Sequence, residues 1–325
     1  MPDAPLLGGT VARLGDGGAL GWLERLLFRH FGFVPRLGVG ATANVVHAQF
    51  ARGGALALPL TQALGKRLVV TLHGGDVSKN RNWHGTVQAR RWPAVVATAS
   101  RFVCVSAAVA ETAIRHGVPR GKITVLPIGV EVPHVAPKVP GGTGPFLFVG
   151  RFVPKKGIDI LADAVRRLHA SGAPVRLLCV GDGPLRSTLE AVARETGTVE
   201  LTGWLSPAEV TRRMAGAAAL LVPSIVAPDG DAEGLPSVIP EAMAQAIPVI
   251  GSAEGGIAEA VEHEATGLLV PPGDAGALAA AMGRLASEPE LRHALGQAAF
   301  AYVSARLNAQ VQSAALETLL LEVAN

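Results

Sequence analysis

From about residue 146 the chain alternates short aliphatic and β-branched runs with longer amphipathic stretches, and few folds are compatible with that rhythm. A run that is apolar throughout is a strand buried on both faces, and strands separated by helix-length segments pair in parallel through helical crossovers. Strands are predicted at Phe146–Val149, Val175–Val180, Val199–Thr202, Ala218–Val222, Val249–Gly251 and Gly267–Val270, with helices starting near Lys156, Pro184, Ser206, Leu235, Gly256 and Asp274. The class is therefore α/β, a doubly wound parallel sheet. Two further helices, near Glu288–Leu307 and Ala309–Val323, end the chain.

The first half repeats the pattern less completely, with strands at Val45–Ala48, Leu68–Leu72, Phe102–Val105 and Ile123–Leu126 and a clear helix from Ser106 to His116. Pro133–Pro145 carries Pro137, Pro140 and three glycines, and reads as a linker. The expected division is an N-terminal domain over 1–140, a C-terminal domain over 141–300 and a closing helix over 301–325. Residues 1–44 are glycine-rich, with one amphipathic helix around Leu20–Phe31 and no apolar opening strand. A sheet lacking its first strands would expose an unpaired edge and favour a partner.

A length of 325 residues, 49% of them apolar, supports two cores. No apolar run reaches the length of a membrane span, and the start of the chain shows no basic-then-apolar secretory pattern. Cys104 and Cys179 each fall in a predicted buried strand, so a disulfide framework is not expected and a reducing cytoplasm fits. Charge is uneven. Residues 1–140 hold 16 basic and 6 acidic side chains, the remainder 13 and 20. The basic half suits a phosphate-rich partner, or serves solubility alone. With aromatics at 4% and the cations dispersed, no nucleic-acid platform is evident, which leaves an anionic membrane surface as the expected partner.

The segment Glu233-Gly-Leu-Pro-Ser-Val-Ile-Pro-Glu241 says most about chemistry. Pro236 suits a first helical turn, which puts Glu233 just before a helix and Glu241 inside it, with unpaired N–H groups between. At a rise of about 1.5 Å per residue the two Cα atoms stand roughly 12 Å apart. An anion flanked by two hydroxyl-bearing groups fits that span, as a nucleotide sugar would. Arg151 and Lys156 follow a predicted strand, where doubly wound sheets bind ligands, and could neutralise a diphosphate.

Gly150-Arg151 with Pro154-Lys155-Lys156-Gly157, then Gly181-Asp182-Gly183-Pro184, Gly203-Trp204, the Glu233–Glu241 motif, Gly255-Gly256-Ile257-Ala258-Glu259 and Thr266-Gly267-Leu268-Leu269-Val270 occur in an order that resembles the retaining glycosyltransferases of family four. The resemblance covers about residues 43–300. It implies the GT-B architecture of two facing Rossmann-like domains, with the nucleotide-sugar donor held mainly by the second. Catalytic roles carry over to His73, Glu233, Arg151 and Lys156, and donor contacts to Arg151, Lys156, Gly183, Leu205, Glu233, Gly234, Leu235, Pro236 and Glu241. Glu233 would contact sugar hydroxyls, Glu241 the ribose, and His73 the transferred sugar. Asp76 would contact the acceptor or orient its loop, and His47 would be structural.

The implied reaction moves a hexose from a nucleotide diphosphate donor to a saccharide or lipid-linked acceptor, retaining configuration, in exopolysaccharide or cell-envelope synthesis. No cofactor and no metal are expected. Asp229-Gly230-Asp231 resembles a manganese motif, but one belonging to a different glycosyltransferase fold. The expected location is the bacterial cytoplasm, peripheral to the inner face of its membrane. Two alternatives stay open: a nucleotide-sugar epimerase on the same scaffold, and a donor-binding protein with impaired catalysis.

Overall fold

The computed structural model describes residues 43–135, 137 and 144–325. They form two compact units. The first runs to Val105 and adds Val109–Leu126 and Ser313–Asn325; the second comprises Ser106–Ala108 and Pro127–Gln312.

In the first half β1 (Val45–Gln49), α1 (Phe50–Ala63), β2 (Arg67–Leu72), α2 (Gly75–Ser78), α3 (Val87–Thr98), β3 (Arg101–Cys104), α4 (Ala107–Arg115) and β4 (Ile123–Val125) follow one another. All strands pair in parallel in the order β1-β2-β3-β4, with Val69 beside both His47 and Arg101. Leu68, Val69, Val70 and Leu72 are buried because helices cover both faces of a parallel sheet. Gly54 lets α1 press onto β2: a Cβ there would lie 2.9 Å from Val70 Cγ2.

The second unit contains β5 (Phe146–Val149), α5 (Ile158–Ala170), β6 (Leu177–Val180), α6 (Arg186–Thr196), β7 (Val199–Gly203), α7 (Pro207–Met214), β8 (Ala219–Val222), α8 (Val238–Met243), β9 (Val249–Ser252), α9 (Gly255–Ala260), β10 (Gly267–Val270), α10 (Ala275–Ser287) and α11 (Pro289–Arg306). Local chemistry sets the helix starts. Ser206 and Glu209 form a reciprocal capping box ahead of α7, with Pro207 in the first turn. Asp274 caps α10 by accepting from the Ala277 N–H at 2.8 Å. The strand order is β10-β9-β8-β5-β6-β7, the Rossmann order, which reverses direction between β5 and β8. Phe146, Phe148, Phe152, Ile158 and Leu161 head its core.

The structure corrects two expectations. Helix α8 begins at Val238 with Ser237 as its cap, so Leu235 and Pro236 lie in the preceding loop and Glu241 in the first turn. The residues over 301–325 do not form one closing helix: α11 stops at Arg306, and α12 (Ala309–Ala324) returns to the first unit, placing Leu319 and Val323 on Val69 and Val103. Burying such side chains contributes about 1.5–3 kcal/mol each. Cys104 and Cys179 are free and buried, and burial pushes the Cys104 thiol up to about 12. Among the described residues β1 forms one edge of the first unit's sheet and β4 the other. The predicted Leu20–Phe31 helix and missing opening strands fall outside those residues.

Candidate active site

Where strand order reverses, successive crossovers leave toward opposite faces and the loops at the strand ends part, opening a crevice. The loops after β5 and β8 flank this point. They are tied together: the Ile225 N–H donates to the Lys155 carbonyl at 2.9 Å, and Gly157, at φ 67°, sits so close that a Cβ would lie 1.8 Å from the Pro223 oxygen. Only glycine combines that backbone angle with that approach.

The tie brings Lys155 and Lys156 against the segment before α8. Lys156 Nζ lies 3.1 Å from Glu233 Oε1, and Lys155 Nζ lies 3.5 Å from the same oxygen and 3.1 Å from Asp231 Oδ1. These side chains are only 8–15% exposed, so their mutual attraction is little screened. Glu233 Oε1 is buried between two ammonium groups yet accepts no hydrogen bond, leaving lone-pair capacity for a donor. Lys155 and Asp231 escape the sequence reading as site residues. The Lys-Lys doublet was its own signal, whereas the partnership of Lys155 with a residue 76 positions away carries none.

The remaining predicted donor residues distribute around this cluster. Arg151 follows β5, is exposed and has no acidic partner among the described residues. Gly183, after β6, packs on the backbone of Phe152, where a Cβ would stand 2.6 Å from the carbonyl oxygen; Phe152 N–H donates to the Asp182 carbonyl and Leu185 N–H to that of Phe152. Leu205 follows β7, half-buried beside Trp204, which is 63% exposed. Gly234, Leu235 and Pro236 are buried, with Gly256 at the start of α9 pressed on the Gly234 carbonyl. Glu241, in the first turn of α8, lines a pocket of about 510 Å³ with Val130, Glu131 and Thr211.

In the first unit His73 ends β2 and joins a chain of neutral hydrogen bonds. Its Nε2 donates to Gln49 Oε1 at 2.8 Å; the Gln49 amide donates to His47 Nε2 at 3.2 Å, which also bonds Thr71 Oγ1 at 2.7 Å. Both imidazoles are held below the ordinary histidine value, chiefly by burial; the His73 ring adds to the lowering at His47, and Asp76 partly opposes it at His73. Asp76 receives the N–H groups of Ala51 at 2.8 Å and of His73 and Gly74 at 2.9 Å. Its carboxylate thus ties the His73 loop to the start of α1. His47 is built into the strand-end network, and Gln49 is a participant the sequence did not announce.

The model of the family described as Glycosyl transferases group 1 matches residues 144–288, and that of Glycosyltransferase Family 4 matches residues 14–133. The putative teichuronic acid biosynthesis glycosyltransferase TuaC of Bacillus subtilis is 30% identical over 287 residues, 82% of this chain and 68% of TuaC. The chain belongs to the group 1 glycosyltransferases. Another member, the amylovoran biosynthesis glycosyltransferase AmsK of Erwinia amylovora, is 32% identical over 75% of this chain, which spans 61% of AmsK. Among solved structures of this GT-B fold, Anabaena HepE in complex with UDP and glucose superposes with a TM-score of 0.74 at 20% identity, covering 96% of this chain and 86% of HepE.

Proposed function

We propose that this group 1 glycosyltransferase moves a hexose from a nucleotide diphosphate sugar to a saccharide or lipid-linked acceptor, with retention of configuration and without a metal, in exopolysaccharide or cell-envelope glycan assembly. The observation that carries the reading is Glu233 Oε1 held between Lys155 and Lys156 at the reversal point of the second sheet. Negative charge grows on a departing nucleoside diphosphate, so cations fixed beforehand favour the transition state over the ground state. Lys156, with Arg151 on the same loop, supplies that charge. Glu233, paired with its two lysines, accepts from a hydroxyl of the donor sugar through the lone pairs it leaves unused. Asp231, ion-paired to Lys155, steadies the doublet, a use of that carboxylate that supports metal-free chemistry.

Retention follows if the acceptor attacks from the face the diphosphate leaves, a phosphate oxygen taking its proton. The acceptor side is assigned to the first unit around His73. AmsK and TuaC, both named for polysaccharide biosynthesis, support the envelope-glycan setting. The basic N-terminal half supports peripheral work at an anionic membrane; among the described residues no helix is long and apolar enough to cross one.

The test is to incubate the protein with UDP- and GDP-hexoses and a panel of saccharide acceptors, with and without saturating chelator. Product should form in both, keeping the donor's anomeric configuration by NMR. Complete loss with chelator, restored by manganese, would remove the metal-free part; free sugar released without acceptor dependence would replace transfer by epimerase-type chemistry.

A further inference from the structure

Phe50 opens α1 with φ 66°, in the left-handed region that a bulky residue rarely enters. Strain of this kind persists only where surrounding contacts overdetermine it, and it clusters at functional sites. Here the restraint is visible. The next amide, that of Ala51, is pinned at 2.8 Å by Asp76, the same carboxylate that shapes the His73 loop. The constraint puts the phenyl ring 4.4 Å from the His73 imidazole, tilted by 39°, while the residue remains 49% exposed. A large aromatic side chain forced out of its preferred backbone region, left half in water and set beside the candidate catalytic histidine makes no sense as core.

We propose that Phe50 is a stacking platform for the acceptor sugar, a specificity residue of the first unit; this rests on reading that unit as the acceptor side. A pyranose has one face of C–H groups that lies against an aromatic ring, while its hydroxyls turn to hydrogen-bonding partners. Phe50 supplies the apolar plane. The neighbouring His73, its Nε2 hydrogen committed to Gln49, presents a neutral imidazole to the same ligand. The pair suits an uncharged saccharide.

The probes are methyl β-glucoside and methyl β-galactoside, observed by saturation-transfer difference NMR, with UDP binding followed by thermal shift on the same samples. In the wild-type protein the axial C–H protons of at least one glycoside should receive the strongest saturation. Phe50→Ala should reduce that signal by tenfold or more, and Phe50→Trp should retain it, while the UDP-induced shift stays the same in all three. Equal signals in the wild type and Phe50→Ala, or none in the wild type, would overturn the platform. Reduced binding of Phe50→Ala to anionic vesicles, with sugar signals unchanged, would overturn it in favour of a membrane contact. Sugar signals that behave as proposed in a protein with no UDP-induced shift would preserve the platform and sink the donor-site reading, so the two failures are distinguishable.

Discussion

The two strand-end sites differ in kind. At the reversal point of the second sheet, lysines and carboxylates are packed into a barely exposed cluster of ion pairs. At the end of β2 in the first unit, imidazoles, an amide and a hydroxyl form a neutral chain beside an exposed phenyl ring. The first unit nevertheless comes from the basic half of the sequence. Net charge therefore reports on the surface of a domain, and local pairing decides what its site can hold. A cluster of fixed charges suits a leaving diphosphate; a chain of uncharged side chains beside a phenyl ring suits a sugar.

The largest effect should come from discharging the charged site. Lys156→Met should lower kcat by about 10²–10³-fold, the usual cost of removing one fixed group that stabilises transition-state charge. It also leaves Glu233 with Lys155 alone at 3.5 Å. Breaking a buried pair costs about 3–5 kcal/mol because a charge is stranded. The double variant Lys156→Met, Glu233→Gln should therefore regain much of the stability lost by either single change, without regaining activity, in denaturant unfolding and steady-state assays. Additive stability losses would mean that these charges do not act as a unit.

A smaller effect, and one confined to the neutral region, is expected from acid. His47, His73 and His116 are all held below the ordinary value of 6.5, first by burial, and all lie in the first unit. A lowered imidazole means that the unfolded chain binds protons which the folded unit refuses, so stability rises with pH between the folded and unfolded values. The contribution is complete above 6.5 and is lost as pH falls through the lowered values. Hydrogen exchange should show β1 to β3 losing protection before β5 to β9 as pH drops below 6. Simultaneous loss across both units would erase the contrast.

Much of this contrast was legible in the sequence, and the illegible part has a common cause. Every observed strand was predicted within about two residues, because strands buried on both faces read as uninterrupted aliphatic runs, as at Phe146–Val149. The Arg151 to Gly157 segment was legible through its charges and glycines. Leu235 and Pro236 misplaced the start of α8, since a proline suits a loop before a helix as well as its first turn. Long-range partnership leaves no local trace. Nothing in the sequence pairs Lys155 with Asp231, sends α12 back to Val69, or threads Gln49 between two histidines.

That thread allows a finer test. Gln49→Glu places a carboxylate between His47 and His73, which favours their charged forms and raises both imidazoles toward and above the ordinary value. The acidic limb of the kcat/KM profile should move to higher pH, and the histidine ring protons should titrate correspondingly earlier on acidification from high pH. An unmoved profile would mean that neutrality at His73 is not what the acceptor side requires.

The smallest effect concerns the backbone beneath that site. Phe50→Ala and Phe50→Gly both delete the ring that touches His73, so they lose the same aromatic contact. They differ in the backbone, because alanine inherits the penalty of φ 66° and glycine does not. The glycine variant should be the more stable of the two by about 1 kcal/mol in denaturant unfolding. Equal stabilities would mean that the chain relaxes to an ordinary angle once the ring is gone. The strain would then be held by the ring's own packing on His73, and the Asp76 to Ala51 hydrogen bond would be a consequence of that packing and no longer its support.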